Sequence, residues 1–166
     1  MIRFFTKGKI FLLIIFLISI FPTNLFAEGS SLNLTSESIN PGSFYYTFKR
    51  SWEKIIYTFT FSPKDKVNYD LSLLEKRLSE LNYVVKNKVL DEFERSSNRF
   101  SYQAGTAVND LAAANDSSLK DKMKDIFNRY PSYLEKLRDQ NQANSSYWLL
   151  IQQDIDTLKI LSEHLK

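Results

Sequence analysis

The residue types that usually carry catalysis or metal binding are few in this chain. His164 is the single histidine and lies two residues before the last residue, and cysteine is absent. Asp121 and Asp125 are spaced for one helix face, but three lysines alternate with them, which is typical of a solvated charged surface. The sequence contains neither a Gly-rich phosphate loop nor a His/Glu metal motif. We therefore predict no catalytic residue, no cofactor and no metal site, and expect that the chain is not an enzyme.

The distribution of charge limits the class of partner. All 19 acidic residues and 19 of the 22 basic residues follow Ala27, so the chain after that position carries no net formal charge. The overall charge of +3 comes from Arg3, Lys7 and Lys9. Because nucleic-acid binding needs a basic face on the folded domain, we predict no nucleic-acid partner.

The first 27 residues have the pattern of an export signal. Three basic residues precede an apolar run of twelve residues, 10–21, and Ala27 offers a small residue for cleavage. Twelve helical residues span about 18 Å, against roughly 30 Å for the hydrocarbon core of a bilayer. We predict a signal peptide over 1–27, with an uncleaved N-terminal anchor as the alternative. The protein is then secreted or extracytoplasmic, in the periplasm or at the cell surface, and meets the membrane only through residues 10–21 if the leader is retained.

The remainder divides into a polar linker and a helical domain. Residues 28–42 are rich in Ser and Asn, which predicts a flexible linker. From Phe44 onward the helix breakers are Pro63, Gly105 and Pro131, whereas a β protein needs frequent turns. We predict an all-α domain over 43–166, an antiparallel bundle or a long helical hairpin of about four helices.

The first two predicted helices carry the clearest patterns. Helix one covers about 44–61, is capped by Ser43, and has one apolar face expected to pack inside: Tyr45, Phe48, Trp52, Ile55, Ile56 and Phe59. Ser62 and Pro63 start helix two, which is predicted to continue to about Ala114. Its leucines repeat at alternating steps of three and four, a coiled-coil-like seam. The seam predicts self-association through a helix over 71–111.

Two shorter helices follow. Residues 115–118 form a turn and cap before helix three, which Pro131 is expected to kink or split. Ser145 caps helix four.

Aromatic residues are abundant after the leader, with seven Phe, nine Tyr and two Trp. They either pack in the core or form an exposed surface for a peptide or a membrane. Helix one is the best candidate for such a surface, because Tyr46, Tyr57 and Phe61 fall outside its main apolar face. These three residues are the predicted interaction surface.

Four short motifs occur between residues 41 and 81: 41–45 (PGSFY), 49–53 (KRSWE), 61–63 (FSP) and 75–80 (EKRLSE). In this combination the segment resembles an exported bacterial helical family, domain-of-unknown-function family 5667. The resemblance covers about a quarter of the chain and leaves the C-terminal half outside. It implies an extracytoplasmic helical module, sometimes attached to membrane regulators, with no known catalytic residues. Its motif residues here are Pro41, Tyr45, Lys49, Arg50, Glu53, Pro63, Glu75, Arg77 and Glu80.

The charged motif residues also have a purely structural interpretation. Lys49 with Glu53, and Lys76 with Glu80, are spaced as ion pairs within one helix. Arg50 and Arg77 are expected to bridge the first two helices through Glu75 or Glu53, which makes a structural clamp more plausible than a ligand site.

These patterns favour a non-enzymatic extracytoplasmic module that binds an unidentified envelope or secreted protein, or that organises the envelope. The alternative is a periplasmic chaperone or an envelope stress-sensor-like helical hairpin, although the Leu-Thr-x-x-Gln signature of small exported chaperones is absent from the sequence.

Overall fold

The computed structural model describes residue 34 and residues 37–165, all within one compact unit, 33–166. The predicted signal peptide and most of the predicted linker lie outside the described residues. The described part contains helices and no strand, so the all-α prediction is confirmed. Its elements are α1 (Tyr46–Phe59), α2 (Pro63–Lys86), a 3-10 turn (Leu90–Glu92), α3 (Phe93–Ala114), α4 (Ser117–Arg138) and α5 (Ser146–His164).

Helices α2 to α5 form two hairpins that pack side by side. α2 packs on α3 and α4 on α5, and the hairpins meet where α3 contacts α5 and α2 contacts α4. The short connection within each hairpin makes its two helices antiparallel neighbours. Helix α3 is parallel to α5 of the other hairpin. Ser97 and Ser101 on α3 lie beside Leu150 and Asp154 on α5, in the same order along both helices. The prediction of about four bundled helices thus holds for α2–α5, but the bundle is not antiparallel throughout.

The leucine seam of α2 lies inside this bundle. Leu74, Leu78 and Leu81 are fully buried, and so are Phe100 and Ala104 on α3. Burying one apolar side of each helix is the main stabilising contribution, at roughly 25 cal/mol per Å² of apolar surface. The seam is therefore covered within a single chain, and self-association through residues 71–111 stays a prediction.

The prediction of one helix from Pro63 to about Ala114 is wrong, because the chain turns after Lys86. Lys88 has a left-handed backbone with φ of 54°. The Lys88 N–H donates to the Val85 carbonyl and the Val89 N–H donates to the Val84 carbonyl, which is a Schellman helix end. Glycine usually takes the left-handed position, and here a lysine does. Because no glycine marks this position, the sequence did not indicate the end of the helix.

The predicted helix caps are mostly confirmed. The Ser62 hydroxyl accepts from the Asp65 N–H at 3.4 Å, with Pro63 at the first helical position. Asp116 and Ser145 cap α4 and α5 in the same way. Ser43 is not a cap, because α1 begins only at Tyr46 and has no side-chain cap.

Pro131 does not split α4, which runs through it from Ser117 to Arg138. Tyr130 and Leu134, on either side of it, are buried. Their packing holds the helix together despite the lost N–H donor. Among the described residues, no helix is both long and apolar enough to cross a bilayer.

Helix α1 lies outside the four-helix bundle. Its backbone approaches the other helices less closely than they approach one another. Long polar side chains make its contacts with α2 and α3, and those contacts decide which face of α1 is exposed.

Candidate interaction surface

The inward face of α1 is charged. Tyr46 and Glu53, seven residues apart and therefore on the same side of the helix, are its two buried residues. They point at Arg77 and Glu80, which are buried on α2. We call Tyr46, Lys49, Glu53, Arg77 and Glu80 the charged anchor.

Arg77 lies at the centre of the charged anchor and is 1% exposed. Its guanidinium donates to both carboxylate oxygens of Glu80, at 2.5 and 2.6 Å, and to Glu53 on α1. Arg50 also contacts Glu53, at 3.2 Å. A buried arginine without acidic partners would be strongly destabilising, and Arg77 has one on its own helix, Glu80, and one on the helix that packs over it, Glu53.

Glu80 gathers the remaining members of the anchor. The Tyr46 hydroxyl donates to one of its oxygens at 2.7 Å, and the Lys49 ammonium donates to the other at 2.9 Å. Burial opposes ionisation of Glu80, but the charges of Arg77 and Lys49 outweigh it and hold the pKa of this carboxyl below its usual range. Burial and the Glu80 charge raise the pKa of Tyr46 above its usual value, so its hydroxyl stays protonated as a donor.

The anchor also orders the end of the predicted linker. Lys49 donates to Glu37 at 2.7 Å and to the Ile39 carbonyl at 3.2 Å, and Pro41 is buried. The segment from Glu37 to Pro41 therefore contacts the helical domain.

A second polar contact holds the C-terminal part of α1. The Tyr57 hydroxyl donates to Asp110 on α3 at 2.6 Å. Asp110 lies beside Asp70 on α2, which accepts from Gln103 at 2.8 Å. Burial, together with the neighbouring Asp110, raises the pKa of Asp70 to about 7. Both ends of α1 are thus attached through hydrogen bonds rather than through apolar packing.

The outward face of α1 is apolar. Phe48 is 64% exposed and Phe59 is 69% exposed, although both are large aromatic residues. The rings of Phe44, Tyr45 and Phe48 cluster at one end, with centroids 5.8 and 5.9 Å apart. Of the six residues on this face all are exposed except Trp52, which is half-buried. We call this face the apolar stripe: Tyr45, Phe48, Trp52, Ile55, Ile56 and Phe59.

The stripe reverses the sequence-based expectation, which placed these six side chains in the core. The charges that α2 buries towards α1 require polar partners, so α1 turns its polar side inward. Of the predicted interaction surface, Tyr46 is buried at 7% exposure and Tyr57 is half-buried against Asp110. Phe61 alone is exposed, just beyond the end of α1. The three residues do not form one surface.

The family motif residues form two groups in the structure. Lys49, Arg50, Glu53, Arg77 and Glu80 converge as the bridge between α1 and α2. The expected pairing of Lys49 with Glu53 is wrong, because Lys49 reaches Glu80 and Glu37 instead.

The other motif residues have separate positions. Glu75 is half-buried within the electrostatic influence of Arg129 on α4, so Arg50 and Arg77 bridge the helices through Glu53 and not through Glu75. Pro63 starts α2, Pro41 is buried, and Tyr45 belongs to the apolar stripe.

The family model for the domain of unknown function DUF5667 matches residues 38–157. The chain belongs to this family. The match confirms the resemblance seen in residues 41–81 and extends it, because it also includes α3, α4 and most of α5. No curated protein and no solved structure matches the chain.

One further buried carboxyl of this family member lies away from α1. Asp154 on α5 is 1% exposed and accepts from the Ser101 hydroxyl at 2.5 Å. Burial raises the pKa of Asp154 to about 7, although its serine partners oppose the shift. Within the described residues, no group of three His, Cys, Asp or Glu side chains is placed to hold a metal ion.

Sequence reasoning missed the buried charges, but their positions carried a signal. Arg77 is three residues after Leu74 and four before Leu81, and Asp154 is three after Ile151 and four before Leu158. A charge that falls in step with an apolar face is expected to be buried and paired. Glu80 lies three residues after Arg77 on the same helix, but Glu53 and the Ser101 partner of Asp154 lie on other helices.

Proposed function

We propose that this chain is a non-enzymatic docking module that acts outside the cytoplasm, where it binds or organises another component of the envelope. The apolar stripe of α1 carries this proposal. The helix is attached through its charged side and presents its aromatic side outward. Single exposed apolar residues are ordinary on a protein surface, but a contiguous patch of them marks a surface that something else covers.

The attachment of α1 supports a fixed docking surface. If α1 rotated to bury the stripe, Glu53 would leave Arg77, and Tyr46 and Lys49 would leave Glu80. Breaking a buried ion pair costs about 3–5 kcal/mol. The charged anchor therefore holds the stripe outward even when nothing covers it.

The same charges argue for a structural role over a catalytic one. Arg77 and Glu80 are buried, and the positive charges of Arg77 and Lys49 balance the negative charges of Glu80 and Glu53 within hydrogen-bond distance. A catalytic acid or base has to reach its substrate. The most concentrated set of ionisable groups around α1 instead connects two helices.

Location outside the cytoplasm rests on the pattern of residues 1–27. Mass spectrometry of the native N-terminus, combined with cell fractionation, tests it. A soluble product that begins at Glu28 indicates a free extracytoplasmic protein. A membrane-bound product that keeps Met1 indicates a tethered one, and an intact product in the cytoplasm contradicts the proposal.

Photo-crosslinking in intact cells tests the docking surface. Benzoylphenylalanine replaces Phe48 or Phe59 on the stripe and, as matched controls, Tyr102 or Ile160, which are exposed on α3 and α5. We expect adducts from the two stripe positions and not from the controls. Equal labelling at all four positions, or none at the stripe, would show that the stripe is not a docking surface.

A periplasmic chaperone or stress-sensor-like hairpin is the second candidate, because exposed aromatic side chains also bind unfolded apolar segments. The test is suppression of aggregation of a denatured client at equal molar ratio. A chaperone loses this activity in the variant Phe48→Ser/Phe59→Ser. If the unmodified chain does not slow aggregation, this candidate is removed and the docking module remains.

A further inference from the structure

We propose that Asp70 and Asp110 share one proton in the folded chain, and that loss of this proton at mildly alkaline pH releases the C-terminal half of α1 from the bundle. Together with Tyr57 and Gln103, these two residues join α1, α2 and α3 at one point. We call the four residues the carboxyl latch. The latch acts on α1 itself and does not depend on what covers the apolar stripe.

Asp70 lacks the donors that a buried carboxylate needs. It is 0% exposed and accepts a hydrogen bond from the Gln103 side chain at 2.8 Å. Among the described residues, no N–H or O–H group donates to its second carboxyl oxygen. A buried carboxylate with an unpaired oxygen is destabilising, whereas a protonated carboxyl is neutral and can itself donate. The surroundings of Asp70 therefore favour a proton on this side chain.

The Asp110 carboxyl supplies an acceptor for that proton. It lies within hydrogen-bond reach of the Asp70 carboxyl, and it accepts from the Tyr57 hydroxyl at 2.6 Å. Two carboxylates in contact repel each other, so the pair binds one proton more tightly than a lone carboxyl does. Burial and the Asp110 contact raise the pKa of Asp70 to about 7, which supports this arrangement. The same Asp110 contact raises the pKa of Tyr57, whose hydroxyl therefore stays a donor.

Other polar groups near Asp70 do not supply the missing donor. On its own helix, Lys66 favours the ionised carboxyl, but its ammonium lies 5.0 Å from the centre of the Tyr57 ring. Tyr69, also on α2, donates to a carbonyl of α1 at 3.3 Å. On α4, Lys122 donates to the side chain two residues before Asp70, at 3.4 Å. Burial and Asp110 together outweigh the positive charge of Lys66.

Ionisation of Asp70 acts on α1 because the rest of the latch is fixed. Helices α2 and α3 pack closely through buried apolar side chains, and Asp70 is fully buried on α2. Asp110 is only half-buried, so it is the carboxyl that can turn towards water and away from a second negative charge. When it turns, the Tyr57 hydroxyl loses its acceptor, and α1 loses the polar contact that holds its C-terminal half.

The latch is closed in acid and open in base. Because the fold raises the pKa of Asp70, the stability contributed by its neutral form is complete below about pH 4 and is lost as the pH rises to about 7. The charged anchor behaves differently, since the pKa of Glu80 is lowered and its carboxylate persists at neutral pH. Ile56 and Phe59 of the stripe lie in the half of α1 that is released, while the anchor still holds the other half.

Hydrogen exchange of the full chain tests the latch, with rates corrected for the intrinsic effect of pH. We expect the protection of residues 55–60 to fall about two- to tenfold between about pH 6 and pH 8.5, which is the loss of roughly one hydrogen bond. Residues 50–54, next to the charged anchor, should keep their protection over the same range.

Matched variants assign the change to the latch. Asp70→Asn keeps a neutral side chain at every pH, because an amide can accept from Gln103 and donate to Asp110. It should abolish the pH dependence of residues 55–60. Asp154→Asn is the matched control, since Asp154 is the other buried carboxyl whose pKa is raised to about 7, and it should leave that dependence unchanged. Tyr57→Phe should give low protection at every pH.

Carbon-13 NMR of labelled aspartate measures the shared proton directly and needs no substitution at Asp70. In the Asp154→Asn chain we expect one aspartate carboxyl still to titrate near pH 7, at about the value to which burial raises the pKa of Asp70. In Tyr57→Phe the titration should persist although α1 no longer responds to it.

Three outcomes overturn the proposal. If every aspartate of the Asp154→Asn chain titrates below about pH 5, no proton is shared. If one titrates near pH 7 and the protection of residues 55–60 does not change, the carboxyl pair does not control α1. An equal pH response in Asp70→Asn and the unmodified chain assigns the response to another group. None of these results alters the crosslinking expected at Phe48 and Phe59, so failure of the latch is distinguishable from failure of the docking function.

Discussion

Helix α1 and the bundle α2–α5 bury opposite kinds of surface. In the bundle, leucine, isoleucine and phenylalanine side chains are enclosed and most charged side chains face outward. In α1, Glu53 and the Tyr46 hydroxyl face inward while Phe48 and Phe59 face outward. The comparison shows that hydrophobicity alone does not determine which face of an amphipathic helix is buried.

The difference follows from the surface that each helix meets. The face of α2 towards α3 is lined with leucines, which an apolar helix covers well. The face of α2 towards α1 contains Arg77 and Glu80, which an apolar helix would leave unpaired. Because Arg77 and Glu80 would be strongly destabilising without polar partners, the charged face of α1 turns inward.

The largest expected effect comes from the centre of the anchor. Arg77→Ala leaves Glu53 and Glu80 buried without their main partner and should lower the free energy of unfolding by about 3–5 kcal/mol, measured in urea. Arg50→Ala is the control, because Arg50 is partly exposed and pairs with Glu53 at the edge of the anchor. It should cost at most about 1 kcal/mol. Equal losses in the two variants would mean that the anchor does not hold α1.

Truncation of an apolar side chain should lower the free energy of unfolding in the bundle far more than on α1. Leu78→Ala in the bundle leaves a cavity and should lower the free energy of unfolding by about 2–5 kcal/mol. Phe48→Ala on α1 removes a larger side chain, yet should change it by at most about 0.5 kcal/mol because that ring is already exposed. A large loss from Phe48→Ala in the isolated protein would show that the stripe is covered within the chain.

The dependence of stability on pH should have opposite signs at Asp154 and at Glu80. The pKa of Asp154 is raised to about 7, so the fold favours its neutral form and loses stability as the pH rises from about 4 to 7. The pKa of Glu80 is lowered, so its contribution is present above the usual carboxyl range and is lost on acidification.

The variant Asp154→Asn isolates the first of these effects. At pH 8 it should be more stable than the unmodified chain by about 1–3 kcal/mol, and at pH 4 the two should be similar. Asp156→Asn, exposed on the same helix, serves as the control and should show no such pH dependence. Denaturant unfolding across this pH range provides the measurement. If the gain at pH 8 is absent, Asp154 is not held neutral by burial.

The smallest expected effect concerns the second attachment of α1. Tyr57→Phe removes the hydroxyl that donates to Asp110 at 2.6 Å and should cost about 0.5–1.5 kcal/mol. Hydrogen exchange should quicken in the C-terminal half of α1 while α4 keeps its protection. Tyr102→Phe, at an exposed position, should leave both helices unchanged. Uniform loss of protection would contradict a local attachment.

Sequence reasoning succeeded where the controlling contacts were local. The cap at Ser62 followed by Pro63 and the cap at Ser145 are short-range patterns, and each starts a helix as predicted. The motif residues from Lys49 to Glu80 were also assigned to a bridge between two helices, and Arg77 does pair with Glu53. The end of α2 was missed because Lys88 has the left-handed backbone conformation that a glycine usually adopts at the end of a helix.

The all-α class, the starts of α2, α4 and α5 and the family could be read from the order of the residues, because turns, caps and apolar spacing act over a few positions along the chain. The outward direction of the apolar stripe could not. It depends on Arg77 and Glu80 being buried opposite α1, and on Asp110, 53 residues after Tyr57, lying close enough to accept a hydrogen bond from its hydroxyl. A helical pattern states which residues share a face, whereas the chemistry of the neighbouring helix decides whether that face is buried.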